Sequence, residues 1–238
     1  MPRLAHAAEL LDGPLDDPAT LAGNLRDLAR VNRLLGGIAL SRQALEGLAG
    51  RAADRGAVIS LLDVGTGGAD VPLALLADWK RRGRRLQITA VDDRREVLDA
   101  ARRVRPEIDA VDGLTLAVAD GRALPWSDGA FDVVHCSLLV HHLGERDAVR
   151  LLREMARVAR RGVVVNDLAR GRLAWLGAWL LAHLATGNRY TRHDAPLSVR
   201  RAYTLPEARA LLAVAGLRPV VEAHGLLGHR WAIGAAIG

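Results

Sequence analysis

The chain is predicted to fold as an α/β domain in which helices wind over both faces of a mostly parallel sheet. Three observations predict it. Between residues 58 and 168 the sequence reads as five successive βα units, each opened by a short apolar run. The first run ends in a glycine-dense turn, Gly65-Thr66-Gly67-Gly68. Near the carboxyl end, two further apolar runs follow one another across a short turn, which makes them an antiparallel pair.

The elements follow in order. Asp17-Pro18 opens the first helix, with Asp as the cap and Pro in the first turn. Leu21, Leu25, Leu28, Val31 and Leu35 mark its apolar face. Gly36-Gly37 stops it, and a second helix runs to about Ala53. Val58–Val64 is the first strand, Val71–Arg82 a helix and Leu86–Asp92 the second strand. Arg94–Val104 is a helix ended by Pro106; Leu114–Ala119 and Phe131–Ser137 are the third and fourth strands. A helix over Glu145–Ala159 leads to the fifth strand, Gly162–Leu168. Residues 169–203 then break the rhythm and read as an inserted lid, and the helical apolar face of Leu173, Leu176, Leu180, Leu181 and Leu184 within it is expected first to pack in the core and otherwise to cover an apolar substrate. Thr204 and Pro206 open a helix over Leu205–Ala215, which Gly216 closes. Leu217–Leu226 and His229–Ile237 complete a seven-stranded sheet with an antiparallel last strand. The expected organisation is a helical cap over 1–53 and a domain over 54–238 that carries the lid.

The 238 residues, 50% of them hydrophobic, suit one domain with a sizeable core. The single cysteine, Cys136, excludes an internal disulfide. The amino terminus turns acidic before any apolar run develops, so no secretory signal is read there. Leu173–Ala185 is too short to span a bilayer, and the expected location is the cytoplasm. The net charge of +6 suggests nucleic acid, but Lys80 is the only lysine and the arginines are dispersed along helices. The two basic runs, Lys80–Arg85 and Arg157–Arg161, sit at predicted helix ends, where solvated cations suit the helix dipole.

A strand, a tight Gly turn and a helix start, followed by a strand ending in Asp92 and Asp93, form a Rossmann-like nucleotide site. Asp70 stands where a dinucleotide's pyrophosphate would sit. A carboxylate there repels phosphate and attracts an ammonium or sulfonium, which favours S-adenosylmethionine (SAM); Asp70 also suits a helix cap. Asp92 lies 27 residues after Gly65, where a carboxylate accepts two hydrogen bonds from a ribose diol.

In succession, LLDVGTGGAD, ITAVDD, VADGRALPWSDGAFDVVHCSLLVHHL and GVVVNDL resemble the motifs of class I SAM-dependent methyltransferases over Val58–Leu168. FDVVHCSLLVHHL is most similar to the small-molecule branch, which includes ubiquinone- and menaquinone-biosynthesis and natural-product enzymes. By that resemblance Asp63, Gly65, Thr66 and Gly67 line the methionine and ribose side of the cofactor. Asp92 takes the ribose hydroxyls, Asp93 flanks the adenine, Asp120 and Gly121 hold the adenine edge, and Ser137 sits near the methionyl group. One position departs from the family: Ala69 stands where a third glycine is usual.

Methyl transfer from a sulfonium is a direct displacement, and a general base helps when the acceptor is a weak acid. His193, in the segment NRYTRHDAPLSVRRAY read as a loop, is the first candidate; His141, of the family's HH pair, is the second. His135 is expected to be a hydrogen-bonded core residue. Tyr190, Arg192 and Arg200, together with Trp175 on an apolar helix, are the candidate acceptor contacts. The Leu-rich caps imply an apolar, aromatic or polyketide-like acceptor, most simply methylated on oxygen.

Three other readings compete: an NAD-dependent oxidoreductase, an RNA or DNA methyltransferase, and a non-catalytic SAM-binding protein. Asp70 and the terminal strand pair oppose the first. The segment HCSL, where a base-amine methyltransferase carries an NPPY-like motif, opposes the second. No metal site is expected; His141-His142 with Glu145 and Asp147 is the nearest approach to one. Exchange of N-terminal helices offers a route to a homodimer.

Overall fold

The computed structural model describes residues 1–15 and 17–238. Two helices come first, α1 (Pro18–Leu34) and α2 (Gly37–Asp54). Asp17 caps α1 by accepting the Thr20 amide at 2.9 Å, and Gly36, at φ +79°, makes the break between the helices. The alternating unit follows: β1 (Val58–Val64), α3 (Asp70–Arg81), β2 (Arg85–Asp92), α4 (Arg95–Val104), β3 (Leu114–Val118), β4 (Phe131–Ser137), α5 (Glu145–Val158) and β5 (Ala159–Leu168). Then come α6 (Arg172–Ala185), α7 (Arg189–Arg201), α8 (Leu205–Val214), β6 (Leu217–His224) and β7 (Arg230–Ile237).

The seven strands lie in the order β3-β2-β1-β4-β5-β7-β6. The pairs from β3 to β5 are parallel, and β7 runs antiparallel to both neighbours. This is the predicted fold. Strand order reverses between β1 and β4, so their carboxyl ends open a crevice, the position where such sheets bind ligands.

Each face of the sheet has its own core. On one, Leu40, Ala44, Leu45 and Ala49 of α2 and Leu75 and Trp79 of α3 pack on Ile59, Leu61, Val133 and Val164. On the other, Leu151, Leu152 and Met155 of α5 and Leu211 and Leu212 of α8 cover Leu62, Val134, Cys136 and Ile233. Strands covered on both faces need apolar residues at successive positions, which is why β4 is buried from Phe131 to Cys136. The first of these cores joins α2 to the sheet across the 53/54 boundary read from sequence.

Two sequence expectations change. The stretch read as a loop over 188–203 is largely helical: Asn188 Oδ1 accepts the amides of Tyr190 and Thr191, and α7 runs through Pro196. The apolar residues of α6, expected to pack in a core, are largely exposed: Leu173 is 73% and Leu184 82% accessible, and Ala182 is its buried residue. No described helix is long and apolar enough to cross a membrane.

Candidate functional site

The turn between β1 and α3 needs left-handed backbone at Gly65 (φ +68°) and Gly67 (φ +55°). Ala69 adopts the same conformation (φ +53°) while fully buried, and it holds the N-cap position. Asp70 is therefore the first residue of α3 rather than its cap. Gly65 is closed in from across the crevice: a Cβ there would lie 3.0 Å from the Leu139 side chain. The turn after β4 thus touches the Gly turn. Thr66 Oγ1 is buried in the turn without a hydrogen-bond partner among the described residues.

Asp92 reaches the same turn from β2. Its Oδ2 accepts the Gly67 amide at 3.1 Å and its Oδ1 the Arg94 amide at 3.2 Å. Burial outweighs those two bonds and lifts its pKa to about 6. Asp93 is exposed beside it. Asp120, beyond β3, is held by Arg122 through Nε and Nη2, both at 3.1 Å, and lies below the usual carboxylate range. Gly121 is fixed by packing, since a Cβ would come within 2.5 Å of Val64 and 2.7 Å of Leu151.

Beneath the crevice runs a buried polar chain that sequence reasoning missed. Arg230, 1% accessible, donates Nε to Asn166 Oδ1 at 2.6 Å, Nη1 to Asn32 Oδ1 at 2.7 Å and Nη2 to Ser137 Oγ at 2.8 Å. Asn166 Nδ2 donates to Ser41 Oγ at 2.7 Å. Ser41 meets His135 Nε2 at 2.8 Å, and His135 Nδ1 meets Asp63 Oδ1 at 2.5 Å. Asp63 is placed to accept from His135 Nδ1, and Ser41 Oγ bridges Asn166 and His135 Nε2. Asn32 closes the other end by donating to Asp70 Oδ2 at 3.0 Å. Burial raises the Asp70 pKa, and burial lowers that of Arg230 to about 10. Three expected site residues, Asp63, Asp70 and Ser137, are thus held by one network. Its signal in the sequence was a polar residue inside an apolar strand: Asn166 in VVVNDL and Arg230 in HRWAIGAA.

The turn after β4 carries the second cluster. Leu138 adopts φ +56°, and the following helical turn places His141 and His142. His141 is 2% accessible, and its Nδ1 donates to Asp167 Oδ1 at 2.6 Å. Asp167 Oδ2 accepts the His141 amide at 3.0 Å. Burial opposes charge on Asp167, but His141 and the main-chain amides outweigh it, so its pKa falls below the usual range. The amino-terminal segment closes over this turn. Glu9 faces both histidines, Asp12 binds His142 Nδ1 at 2.8 Å, and Arg201 bridges Asp12 and the His142 carbonyl.

The remaining expected residues are not brought into these clusters. His193 is about half-exposed on α7, and its Nδ1 binds the buried Asp194, which also accepts the Leu10 and Leu11 amides. Tyr190 is a packing residue, buried with Leu15, Leu21, Leu25 and Ala100. Arg192 binds the carbonyls of Thr186 and His183 and so closes the α6–α7 connection. Arg200 accepts Leu4 through its carbonyl, and Trp175 sits half-buried on α6.

Residues 62–165 match a family model described as a methyltransferase domain. The chain is 26% identical over 102 residues to the ubiquinone/menaquinone biosynthesis C-methyltransferase UbiE of Rickettsia felis, covering 41% of each protein. It thus spans about two-fifths of the length of the curated relatives it matches. A SAM-dependent methyltransferase from Aquifex aeolicus superposes with a TM-score of 0.59 at 17% identity, over 93% of this chain and 99% of that one. Human N-acetylserotonin methyltransferase, solved in complex with SAM, gives 0.65 at 16% identity, over 93% and 57%. At such identities the structural likeness establishes the fold.

Proposed function

We propose that the chain, whose residues 62–165 match the methyltransferase-domain model, is a class I SAM-dependent methyltransferase that methylates a small aromatic or otherwise apolar acceptor on oxygen. The observation that carries the chemistry is the buried His141–Asp167 pair, on the turn that touches the Gly turn.

The residues fit the cofactor. The Gly65–Gly67 turn presents left-handed backbone, tight against Leu139 at Gly65, and Thr66 Oγ1 is an unpaired buried group facing no protein partner among the described residues. Asp63 and Asp70 offer negative charge to an ammonium and a sulfonium, and Asp92 offers a carboxylate to a ribose diol. When bound, SAM supplies a methyl group on an activated leaving group.

The protein's part is to position the acceptor and remove its proton. Asp167 holds the His141 imidazole with the proton on Nδ1, leaving the Nε2 lone pair free to take a proton from an acceptor hydroxyl. Asp167, kept ionised, stabilises the imidazolium that results. Burial of the pair supports His141 over the half-exposed His193 as the base. The curated relatives are named C-methyltransferases. The same base serves that outcome, because a phenolate is nucleophilic at its ring carbons as well as at oxygen.

A panel of phenolic and polyketide-like acceptors incubated with SAM tests the proposal, with product connectivity read by NMR. His141→Ala should bind S-adenosylhomocysteine (SAH) like the parent protein and lose roughly 10²–10⁴-fold in kcat at neutral pH. Turnover within about threefold of the parent would mean that positioning, without a histidine base, carries the reaction.

A further inference from the structure

The turn after β4 also gathers a set of donors of which the methyl-transfer reading uses only His141. His141 Nδ1 is taken by Asp167 at 2.6 Å and His142 Nδ1 by Asp12 at 2.8 Å. An imidazole that donates from Nδ1 keeps its lone pair on Nε2. Both lone pairs face one carboxylate: His141 Nε2 lies 3.9 Å from Glu9 Oε1, and His142 Nε2 lies 3.9 Å from Glu9 Oε2. The Glu9 side chain is 2% accessible, and among the described residues its Oε1 has no hydrogen-bond partner. Arg201 Nη1 stands 3.2 Å from that oxygen without forming a hydrogen bond. The ion pair with Arg201 leaves this buried carboxylate oxygen without a hydrogen bond, which is costly unless something fills the place of the missing donor.

We propose that Glu9, His141 and His142 bind one divalent transition-metal ion of the zinc class, through the two Nε2 atoms and a carboxylate oxygen. The donor atoms lie within 4.8 Å of one another. A tetrahedral ion with bonds of about 2.0–2.1 Å needs donors about 3.3 Å apart, so side-chain shifts of the order of an ångström complete the site. Both imidazoles already have the outer support that such ligands use, a carboxylate on the far nitrogen. The charge also suits a dication. Three carboxyl groups, Glu9, Asp12 and Asp167, surround the two imidazoles, against two guanidiniums, Arg201 and the Arg3 that donates to the His141 carbonyl. Mixed nitrogen and oxygen donors select the zinc class over magnesium or calcium. The carboxylate comes from the amino-terminal segment rather than from Glu145 or Asp147 on α5, the pairing suggested by the sequence.

An ion on His141 Nε2 would occupy the lone pair that a general base needs, so the loaded and transferring forms are alternatives. That consequence rests on the reading of His141 as base; the binding itself does not.

Chelator-stripped protein titrated with Zn²⁺ against a chromophoric chelator tests the site. The expected result is one equivalent bound, with affinity reduced at least 100-fold in Glu9→Gln and His142→Ala and 10–100-fold in Asp12→Asn. Millimolar Mg²⁺ should not compete. Substituting Co²⁺ in the parent protein should produce visible d–d bands, a readout that needs no variant. His142→Gln provides a second probe of the ligand should His142→Ala fold poorly by circular dichroism. Absence of stoichiometric Zn²⁺ binding, absence of the Co²⁺ bands, or an affinity unchanged in both ligand variants would overturn the proposal. SAH binding measured on the same samples separates the outcomes: its loss with Zn²⁺ binding intact would count against the cofactor reading, not the metal site.

Discussion

With Asp92 on the ribose diol, as proposed, this carboxyl ties cofactor binding and fold stability to pH with opposite signs. Its pKa rises from the ordinary 3.8 to about 6, because burial outweighs the hydrogen bonds from the Gly67 and Arg94 amides. An acid raised in the folded state holds its proton more tightly there than in the unfolded chain. This carboxyl therefore stabilises the free protein most at low pH, and its contribution declines as pH rises from about 4 to about 6. A shift of about 2 units at about 1.4 kcal/mol each sets an upper limit near 3 kcal/mol. Ligand binding runs the other way, because a ribose diol needs the ionised acceptor. With a pKa of about 6, roughly one tenth of the protein is ionised at pH 5 and roughly nine tenths at pH 7, so SAH should bind about tenfold more weakly at pH 5. Calorimetry from pH 5 to pH 8 measures this directly. Asp92→Asn isolates the group: it should flatten both dependences and raise the free protein's stability at pH 7. If the variant retained the parent's pH dependence of affinity, the assignment of Asp92 to the diol would be wrong.

Two further outcomes follow from the backbone and the buried network. Arg230→Met removes the donor shared by Asn166, Asn32 and Ser137 and leaves Asp70 and Asp167 facing no buried cation, so urea unfolding should show a loss of about 3–5 kcal/mol. A loss below about 1 kcal/mol would show that water replaces the guanidinium. Ala69→Gly relieves a left-handed alanine and should raise Tm by roughly 2–4 °C, for a gain of about 1 kcal/mol; a lower Tm would mean that the buried methyl group is worth more than the strain.

The layout of the sheet was legible because local pattern records local geometry. A two-residue alternation or an apolar run reports a strand, and glycines report the left-handed turn at Gly65 and Gly67. The positions of Asp63, Asp92 and Ser137 at or next to the ends of their strands were legible as well, since the apolar pattern sets where those strands run. The segment 188–203 was misread because Pro196 and the dense polar residues signal a loop, whereas the Asn188 cap and packing against α1 and α6 make it a helix. The apolar face of α6 was misread for a related reason: composition states that a surface is apolar, not that the chain has anything to lay against it.

The sequence by itself thus determined the fold class, the Gly turn and the class of cofactor, all properties of short segments. Tertiary structure decided which histidine is buried beside Asp167 and which is left half-exposed beside Asp194. It also decided that Glu9 and Asp12 close over the HH turn, and that Arg230 reaches Asn32 across 198 residues of chain. Such pairings arise where the solvent-excluding core brings distant segments together and buried polar groups must find partners, a condition that no local pattern encodes.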